Sequence, residues 1–374
     1  MTNGTSRPRK QFLDILRVLA TCAVVMMHVL TGATDVTDAS IVPEYRGLVL
    51  SIMDLVTWCV PVFLLISGYL FLHPERELTY PVMIGKYCRR IALAILLFGV
   101  PYAASELVVT EQTFRIGMLP EAVWMTLTGR TWSHMWYLYL ILFLYLITPL
   151  LKKVLQILPV WCIRGLLTVI FLGSSVVPFL NRVTGSKLPV LPEGSVYLLY
   201  YVCGYLFARR EVCGDNTRME NEVTGTVNRS KNRYLPAVAV VLTLGMIFSR
   251  AVVGFPVQMA YNYPFTVVLA LLLFAMGQQG SNGAVGHRCE IPWQKPGMLS
   301  FAVYLVHPVY INLFYKFMKI TPFTLLKRCG VENAVTGNIV LLLLLFAFCI
   351  VVLLLSTITA WVLRKIPVLR KYVL

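Results

Sequence analysis

The sequence predicts an all-α protein, a polytopic transmembrane bundle of about ten helices. Of its 374 residues, 58% are hydrophobic and only 13% are charged, whereas a soluble domain of this length needs far more charge to cover its surface. Apolar runs of about 18 residues or more recur along the chain, which is enough to cross a bilayer as helix. The period-2 alternation of a membrane β-barrel is absent, so helices must satisfy the backbone in lipid.

Ten apolar segments are predicted to span the membrane. The fourth and sixth are short and the second is long, so we expect tilt or partial re-entry there. The predicted spans are residues 12–32, 47–72, 86–109, 135–151, 160–178, 194–210, 235–254, 261–279, 298–318 and 337–363.

The distribution of basic residues predicts the orientation. The net charge is +16, but its Lys and Arg residues are dispersed over short loops, which is typical of an orientation signal and not of a nucleic-acid-binding face. Most of them lie on the side that holds both termini, so the positive-inside rule predicts cytoplasmic termini. The chain 1–374 is therefore interpreted as one membrane domain, and the polar segment 211–233 as a mobile cytoplasmic loop.

Cysteine spacing and the N-terminus exclude two other classes. The nine cysteines lie mostly in or beside apolar runs without a CxxC pair, so neither a metal site nor a disulfide framework is predicted. Arg7, Arg9 and Lys10 precede the first apolar run as in a signal peptide. Because Asp14 and Arg17 interrupt that run and no small-residue cleavage site follows, we expect an uncleaved first helix.

Three ionisable residues lie on the first predicted helix. Arg17 and His28 are eleven residues apart, which places them on one face about 16 Å apart along the axis, and Asp14 lies about 40° to the other side of His28. Asp14 and Arg17 have the i,i+3 spacing of an ion pair. Charged groups at membrane depth are candidate functional residues, and imidazole is the commonest general base. The structural alternative is a helix-end pair with a packing histidine.

Two further histidines have distinctive neighbours. His134 and Trp136 open the fourth span at the predicted outer face, where aromatic residues also form the ordinary interfacial belt. Tyr304 and His307 lie in the ninth span, His307 near mid-membrane and directly before Pro308. A proline frees a backbone carbonyl, which suits a polar cavity, although a simple kink with a structural histidine explains the same pattern.

A basic cluster leads into the third span. Lys86, Arg89 and Arg90 lie on the predicted cytoplasmic side. Alone, they are ordinary positive-inside residues. Beside Arg17 they would form a basic mouth that binds the phosphates of a coenzyme A.

These segments together resemble the acyltransferase-3 family of integral-membrane acyltransferases. The resemblance covers residues 11 to about 360 and depends on the order of five segments, with Met135 and Lys86 as minor departures. The segments are Asp14-Ile-Leu-Arg17 through His28 (Arg-x10-His), Pro61-Val-Phe63 to Ser67-Gly68-Tyr69, Lys86 to Arg90 ahead of Pro101, His134-Met-Trp136-Tyr137-Leu138, and Ser300 to His307-Pro308.

The resemblance implies the function. Such proteins transfer an acetyl or short acyl group from cytoplasmic acyl-CoA to a hydroxyl of an extracytoplasmic or lipid-linked glycan, and this chain is expected to be a stand-alone membrane domain in a bacterial cytoplasmic membrane. Acyl-CoA is then a donor substrate, and no permanently bound cofactor is expected. The expected roles are catalysis for His28 with Asp14, donor binding for Arg17, Lys86, Arg89 and Arg90, and acceptor binding for His134, Trp136, Tyr304 and His307.

Two rival functions use the same residues differently. A transporter or flippase would use Asp14, Arg17, His28 and His307 as a substrate or proton path, but it would not cleave a thioester. A polytopic glycosyltransferase would use acidic residues of the first outer loop, where Asp35 and Asp38 lie. Asn substitutions of those two residues would abolish activity only in that case.

Overall fold

The structure is a computed structural model. It describes residues 10–36, 42–113, 115–224, 234–251, 260–282, 293–331 and 333–374. The secondary structure of these residues is helical, and they contain no β-strand. The all-α prediction is thus confirmed for the described part of the chain.

In the described ranges, sixteen α-helices follow one another, several of them adjoined by wider π-helical or tighter 3-10 turns. The helices are α1 Gln11–Val36, α2 Val42–Val56, α3 Cys59–Phe71, α4 Tyr80–Val82, α5 Arg89–Glu111, α6 Met118–Leu127, α7 Trp136–Ile157, α8 Val160–Phe171, α9 Val177–Thr184, α10 Ser195–Thr224, α11 Leu235–Ala251, α12 Pro264–Asn282, α13 Gln294–Asn312, α14 Pro322–Arg328, α15 Ala334–Leu363 and α16 Pro367–Tyr372.

Seven helical stretches within the described residues are long and apolar enough to cross a membrane. They are Gln11–Val36, Tyr45–Phe71, Tyr80–Glu111, Ser133–Ile157, Val160–Thr184, Gln294–Arg328 and Ala334–Leu363. Each overlaps one predicted span. The other three predicted spans fall on α10, α11 and α12, so a total of about ten crossings stays a prediction. The chain is a multi-pass membrane protein.

Helix α15 has one face of exposed apolar side chains, as expected for a helix that contacts lipid. Its most apolar 18-residue window has a mean hydropathy of 3.4, yet only 28% of that window is buried. The exposed large side chains recur every three or four residues along one face, as an apolar surface helix requires. They are Val335, Ile339, Leu343, Phe346, Ile350, Leu354, Ile358 and Trp361, and Val351 and Val362 are exposed beside them.

The predicted loop 211–233 is partly helical. Helix α10 continues through Thr224, so the first part of this polar segment extends the helix beyond the predicted span 194–210. Residues 225–233 lie outside the described residues, and the mobility of the segment stays a prediction.

The chain divides into two compact units, and the first comprises Met1–Leu70 and Leu166–Thr357. In it, α1 packs against α2, α12 and α13. Phe12 and Leu16 of α1 are buried, as are Val25 and Leu30 two to four turns further on. Asp14 is buried among these residues and Arg17 and His28 are partly buried, whereas Asp35 near the end of the helix is exposed.

The second unit comprises Phe71–Gly165 and Ile358–Leu374. Here α5 packs against α6 and α7, and Gly99 of α5 provides the space in which the methyl group of Thr126 lies. Lys152 of α7 is buried and donates from Nζ to the carbonyl oxygens of His73, at 2.6 Å, and of Arg76. The lysine thereby satisfies backbone acceptors in the loop that follows α3.

Candidate active site

Helix α1 carries an ion pair near its N-terminus. Nη1 of Arg17 donates to Oδ1 of Asp14 at 2.9 Å, and the side chains are 26% and 2% exposed. The predicted i,i+3 pair is therefore present. Gly297 of α13 leaves room for it, because a Cβ at that position would lie 2.9 Å from Asp14 Oδ1.

His28 lies three turns further along α1 and contacts a histidine of another helix. The ring centroids of His28 and His307 are 5.1 Å apart, with the rings tilted by 47°. His307 is fully buried, and the ring of Tyr304 on the same helix is 6.1 Å from it. The packing of α1 against α13 thus brings together the two histidines that the sequence had assigned to catalysis and to acceptor binding.

The backbone of α13 orients His307. Its Nδ1 lies 2.8 Å from the carbonyl oxygen of Tyr304 and 3.3 Å from that of Val303. These contacts hold the ring along its own helix. Two tyrosines that the sequence analysis did not select lie near His28: the Tyr315 hydroxyl donates to the Val29 carbonyl at 3.2 Å, and the Tyr261 hydroxyl contacts Met27 Sδ at 3.4 Å.

A second polar cluster in the first unit surrounds Glu211 of α10. The carboxylate accepts from Lys10 Nζ, from the Tyr69 hydroxyl and, at 3.1 Å, from Gln278 Nε2. Burial raises the pKa of Glu211, but the three hydrogen bonds and the Lys10 charge outweigh it, so the pKa lies below the ordinary value of a glutamate. Glu211 was not among the predicted site residues, although an acid three positions after the apolar run that ends at Ala208 was a usable signal.

His134 belongs to an aromatic cluster in the second unit. The rings of Tyr102 and Trp132 stack with centroids 4.2 Å apart and an angle of 3°, and the His134 ring is 5.6 Å from Tyr102. His134 is 2% exposed, whereas Trp136 is 36% exposed. Tyr102 and Trp132 are the residues here that sequence reasoning did not select.

The basic cluster before α5 also lies in the second unit. Arg90 donates from Nε to the Val373 carbonyl at 2.7 Å and from Nη2 to the Leu374 carbonyl at 2.6 Å. Arg89 lies 5.4 Å from the ring of Tyr372. Lys86 Nζ is 5.4 Å from the ring of Tyr87. Arg90 thus has a structural role that the sequence analysis did not foresee.

The predicted donor-binding residues fall into different units. Arg17 lies in the first unit, and the three basic residues of segment 86–90 lie in the second. A basic mouth formed by all four stays a prediction.

Of the two acidic residues considered for a glycosyltransferase, Asp35 lies near the end of α1, and Asp38 lies outside the described residues.

Comparison with known families defines the class. The Acyltransferase domain model of the acyltransferase-3 family matches residues 10–361. No match to this chain was found among the curated proteins or the solved structures. A helical membrane domain with buried histidines and a match over nearly its whole length is a membrane acyltransferase. The chain belongs to the acyltransferase-3 family.

Proposed function

We propose that this protein transfers an acyl group, acetyl in the first instance, from cytoplasmic acyl-CoA to a hydroxyl of a cell-envelope or lipid-linked glycan in a bacterial cytoplasmic membrane. The observation that carries the proposal is the arrangement on α1. Asp14 and Arg17 form a charged pair at one end of the helix, and His28 contacts His307 about 16 Å further along the axis.

This arrangement supports donor binding at one end of α1 and catalysis further along the same helix. Arg17 offers a guanidinium, the group best suited to phosphates, and it is partly exposed at the end that the positive-inside rule assigns to the cytoplasm. His28 provides an imidazole among apolar side chains deeper in the protein. A donor bound at the first site would present its thioester toward the second.

His28 has two chemical routes available. In direct transfer, His28 accepts the hydroxyl proton of the acceptor while the oxygen attacks the thioester carbonyl; the C–S bond then breaks, and the CoA thiolate takes the proton. In the covalent route, a His28 nitrogen attacks the carbonyl and the C–S bond breaks to release the CoA thiolate; the acceptor hydroxyl then attacks the acyl group, the C–N bond breaks, and the hydroxyl proton passes to the thiolate. Both routes place positive charge on the His28 ring.

The test is CoA release from acetyl-CoA by purified protein in nanodiscs, with and without a cell-envelope glycan extract. We expect wild-type turnover, its loss in His28→Ala, and its retention in the control His73→Ala, which removes an imidazole from the loop after α3. Monodispersity checks that each variant is folded. If the protein releases no CoA from acetyl-CoA or succinyl-CoA, the proposal is rejected in favour of transport. If His28→Ala turns over as fast as the wild type, the catalytic role of His28 is rejected.

Radiolabelled acetyl-CoA separates the two routes. The covalent route predicts label on the wild-type protein in the absence of an acceptor and loss of that label in His28→Ala. Direct transfer predicts no labelled protein under the same conditions. Arg17→Ala is expected to raise the KM for acyl-CoA more than it lowers kcat, because its proposed contact is with the donor phosphates.

A further inference from the structure

The His307-Pro308 dipeptide gives one backbone carbonyl an unusual partner. In an α-helix the N–H of residue i donates to the carbonyl of residue i−4. Pro308 has no N–H, so the carbonyl of Tyr304 lacks its usual helical donor. Nδ1 of His307 lies 2.8 Å from that carbonyl oxygen.

This contact determines the tautomer of His307. A carbonyl oxygen only accepts hydrogen bonds, so Nδ1 must carry a proton to bond with Tyr304. In a neutral imidazole the other nitrogen, Nε2, then carries the lone pair. The second contact of Nδ1, 3.3 Å from the Val303 carbonyl, demands the same tautomer. His307 therefore presents its Nε2 as an acceptor.

The ring beside His307 is the one that the proposed function charges. The centroids of His28 and His307 are 5.1 Å apart. At this separation, a nitrogen of one ring comes within hydrogen-bonding distance of a nitrogen of the other ring when the two nitrogens face each other. His28 becomes positively charged by either route, and a neutral acceptor beside it stabilises that charge, as the orienting group does in a hydrolase triad.

We propose that Pro308 sets the tautomer of His307 so that Nε2 accepts a hydrogen bond from the charged His28 ring during acyl transfer. His307 is then a positioning residue, not only a lining of the acceptor site. No covalent bond to His307 forms or breaks: Nδ1 keeps its proton on the Tyr304 carbonyl, and the proton or acyl group stays on His28. This role rests on the proposed function, whereas the tautomer itself does not.

The tautomer is measured directly by NMR on protein with ¹⁵N-labelled histidine. The five histidines are assigned by single substitutions, so His307 is identified by loss of its signals in His307→Asn. We expect a protonated Nδ1 in the wild type and a shift toward a tautomer mixture in Pro308→Ala, where a restored N–H competes for the Tyr304 carbonyl. Pro149→Ala, which changes a proline inside α7, should leave the His307 signals unchanged.

The kinetic arm uses His307→Asn, whose amide N–H still donates to Tyr304 but which has no atom at the Nε2 position. We expect kcat to fall by about 100-fold or more, the scale of proton-transfer assistance, with the KM for acyl-CoA unchanged. Pro308→Ala should lower kcat by about three- to tenfold, because the preference for one His307 tautomer is then weakened by about the strength of one hydrogen bond.

Either of two outcomes overturns the proposal. A wild-type His307 protonated on Nε2 overturns it, and so does full kcat in His307→Asn. If Pro308→Ala does not fold, the wild-type spectrum and His307→Asn still decide. If the wild type cleaves no thioester, the proposed function fails, and the spectra alone then accept or reject the tautomer.

Discussion

Gly68 of α3 and Gly204 of α10 form a helix crossing that has no room for a side chain on either partner. A Cβ at Gly68 would lie 1.9 Å from the Tyr201 carbonyl oxygen, and one at Gly204 would lie 2.4 Å from the Leu65 carbonyl oxygen. Small residues allow such close backbone approach between membrane helices. The crossing also explains how Tyr69, the next residue of α3, reaches Glu211 of α10.

Alanine at this crossing should destabilise the protein. Gly68→Ala and Gly204→Ala force the backbones apart, and we expect each to lower the free energy of unfolding by about 1–3 kcal/mol, as overpacking does. Thermal unfolding in detergent measures this. Gly165→Ala in α8 is the matched control, since open space surrounds its Cβ. Alanine is the better helix former, so the control should be neutral or slightly stabilising; equal losses at all three positions would contradict the argument.

The Asp14–Arg17 pair should respond unequally to loss of its two partners. Breaking a buried pair costs about 3–5 kcal/mol, and we expect less here because Arg17 is 26% exposed. Arg17→Ala should cost more than Asp14→Asn, since it leaves the buried carboxylate without this partner, whereas the arginine has access to solvent. The double variant should lose less than the sum of the two.

The exposed Glu111–Arg115 pair is the control for that measurement. Its side chains are 31% and 65% exposed, and pairs of this kind contribute about 0–1 kcal/mol. Arg115→Ala should therefore change the thermal midpoint little. A larger loss in Arg115→Ala than in Arg17→Ala would show that burial does not set the strength of these pairs.

Glu211 should make stability depend on acidic pH. Its pKa in the folded state lies below that in the unfolded chain because Lys10, Tyr69 and Gln278 bond its charged form. Its stabilisation is therefore present at neutral pH and is lost as the pH falls below about 4 through the folded pKa. The stability gap between wild type and Glu211→Gln should shrink on acidification, measured by unfolding at several pH values. Glu121→Gln, at an exposed site in the first turn of α6, is the control, and its stability difference from wild type should not shrink in this way. If the stability difference of Glu211→Gln stays the same at all pH values, the stabilising role of the Glu211 hydrogen bonds is rejected.

Arg90 should contribute to stability, because it binds the backbone carbonyls of Val373 and Leu374. Hydrogen bonds from charged groups contribute about 1.5–3 kcal/mol, so Arg90→Ala should lower the thermal midpoint clearly. Arg89→Ala removes a contact with the Tyr372 ring at 5.4 Å, which is worth about 0.5–1 kcal/mol when exposed, and should lower it less. A rise in the KM for acyl-CoA without a loss of stability in Arg90→Ala would instead favour donor binding by this residue.

The sequence by itself determined what depends on neighbours along the chain. Hydropathy over about 18 residues located the helices, since each helix must satisfy its own backbone in lipid. The i,i+3 spacing predicted the Asp14–Arg17 pair, and Pro308 predicted a carbonyl without its helical donor. These relations follow from the geometry of a single helix.

Only the tertiary structure decided which helices meet. It placed His307 of α13 beside His28 of α1, where the sequence had assigned it to acceptor binding, and it joined Glu211 to Lys10 across 201 positions of sequence. It also engaged Arg90 with residues 373 and 374. The physical reason is that hydropathy orients a helix face toward the interior but does not select its partner, which depends on side-chain shape and small-residue crossings such as Gly68 with Gly204.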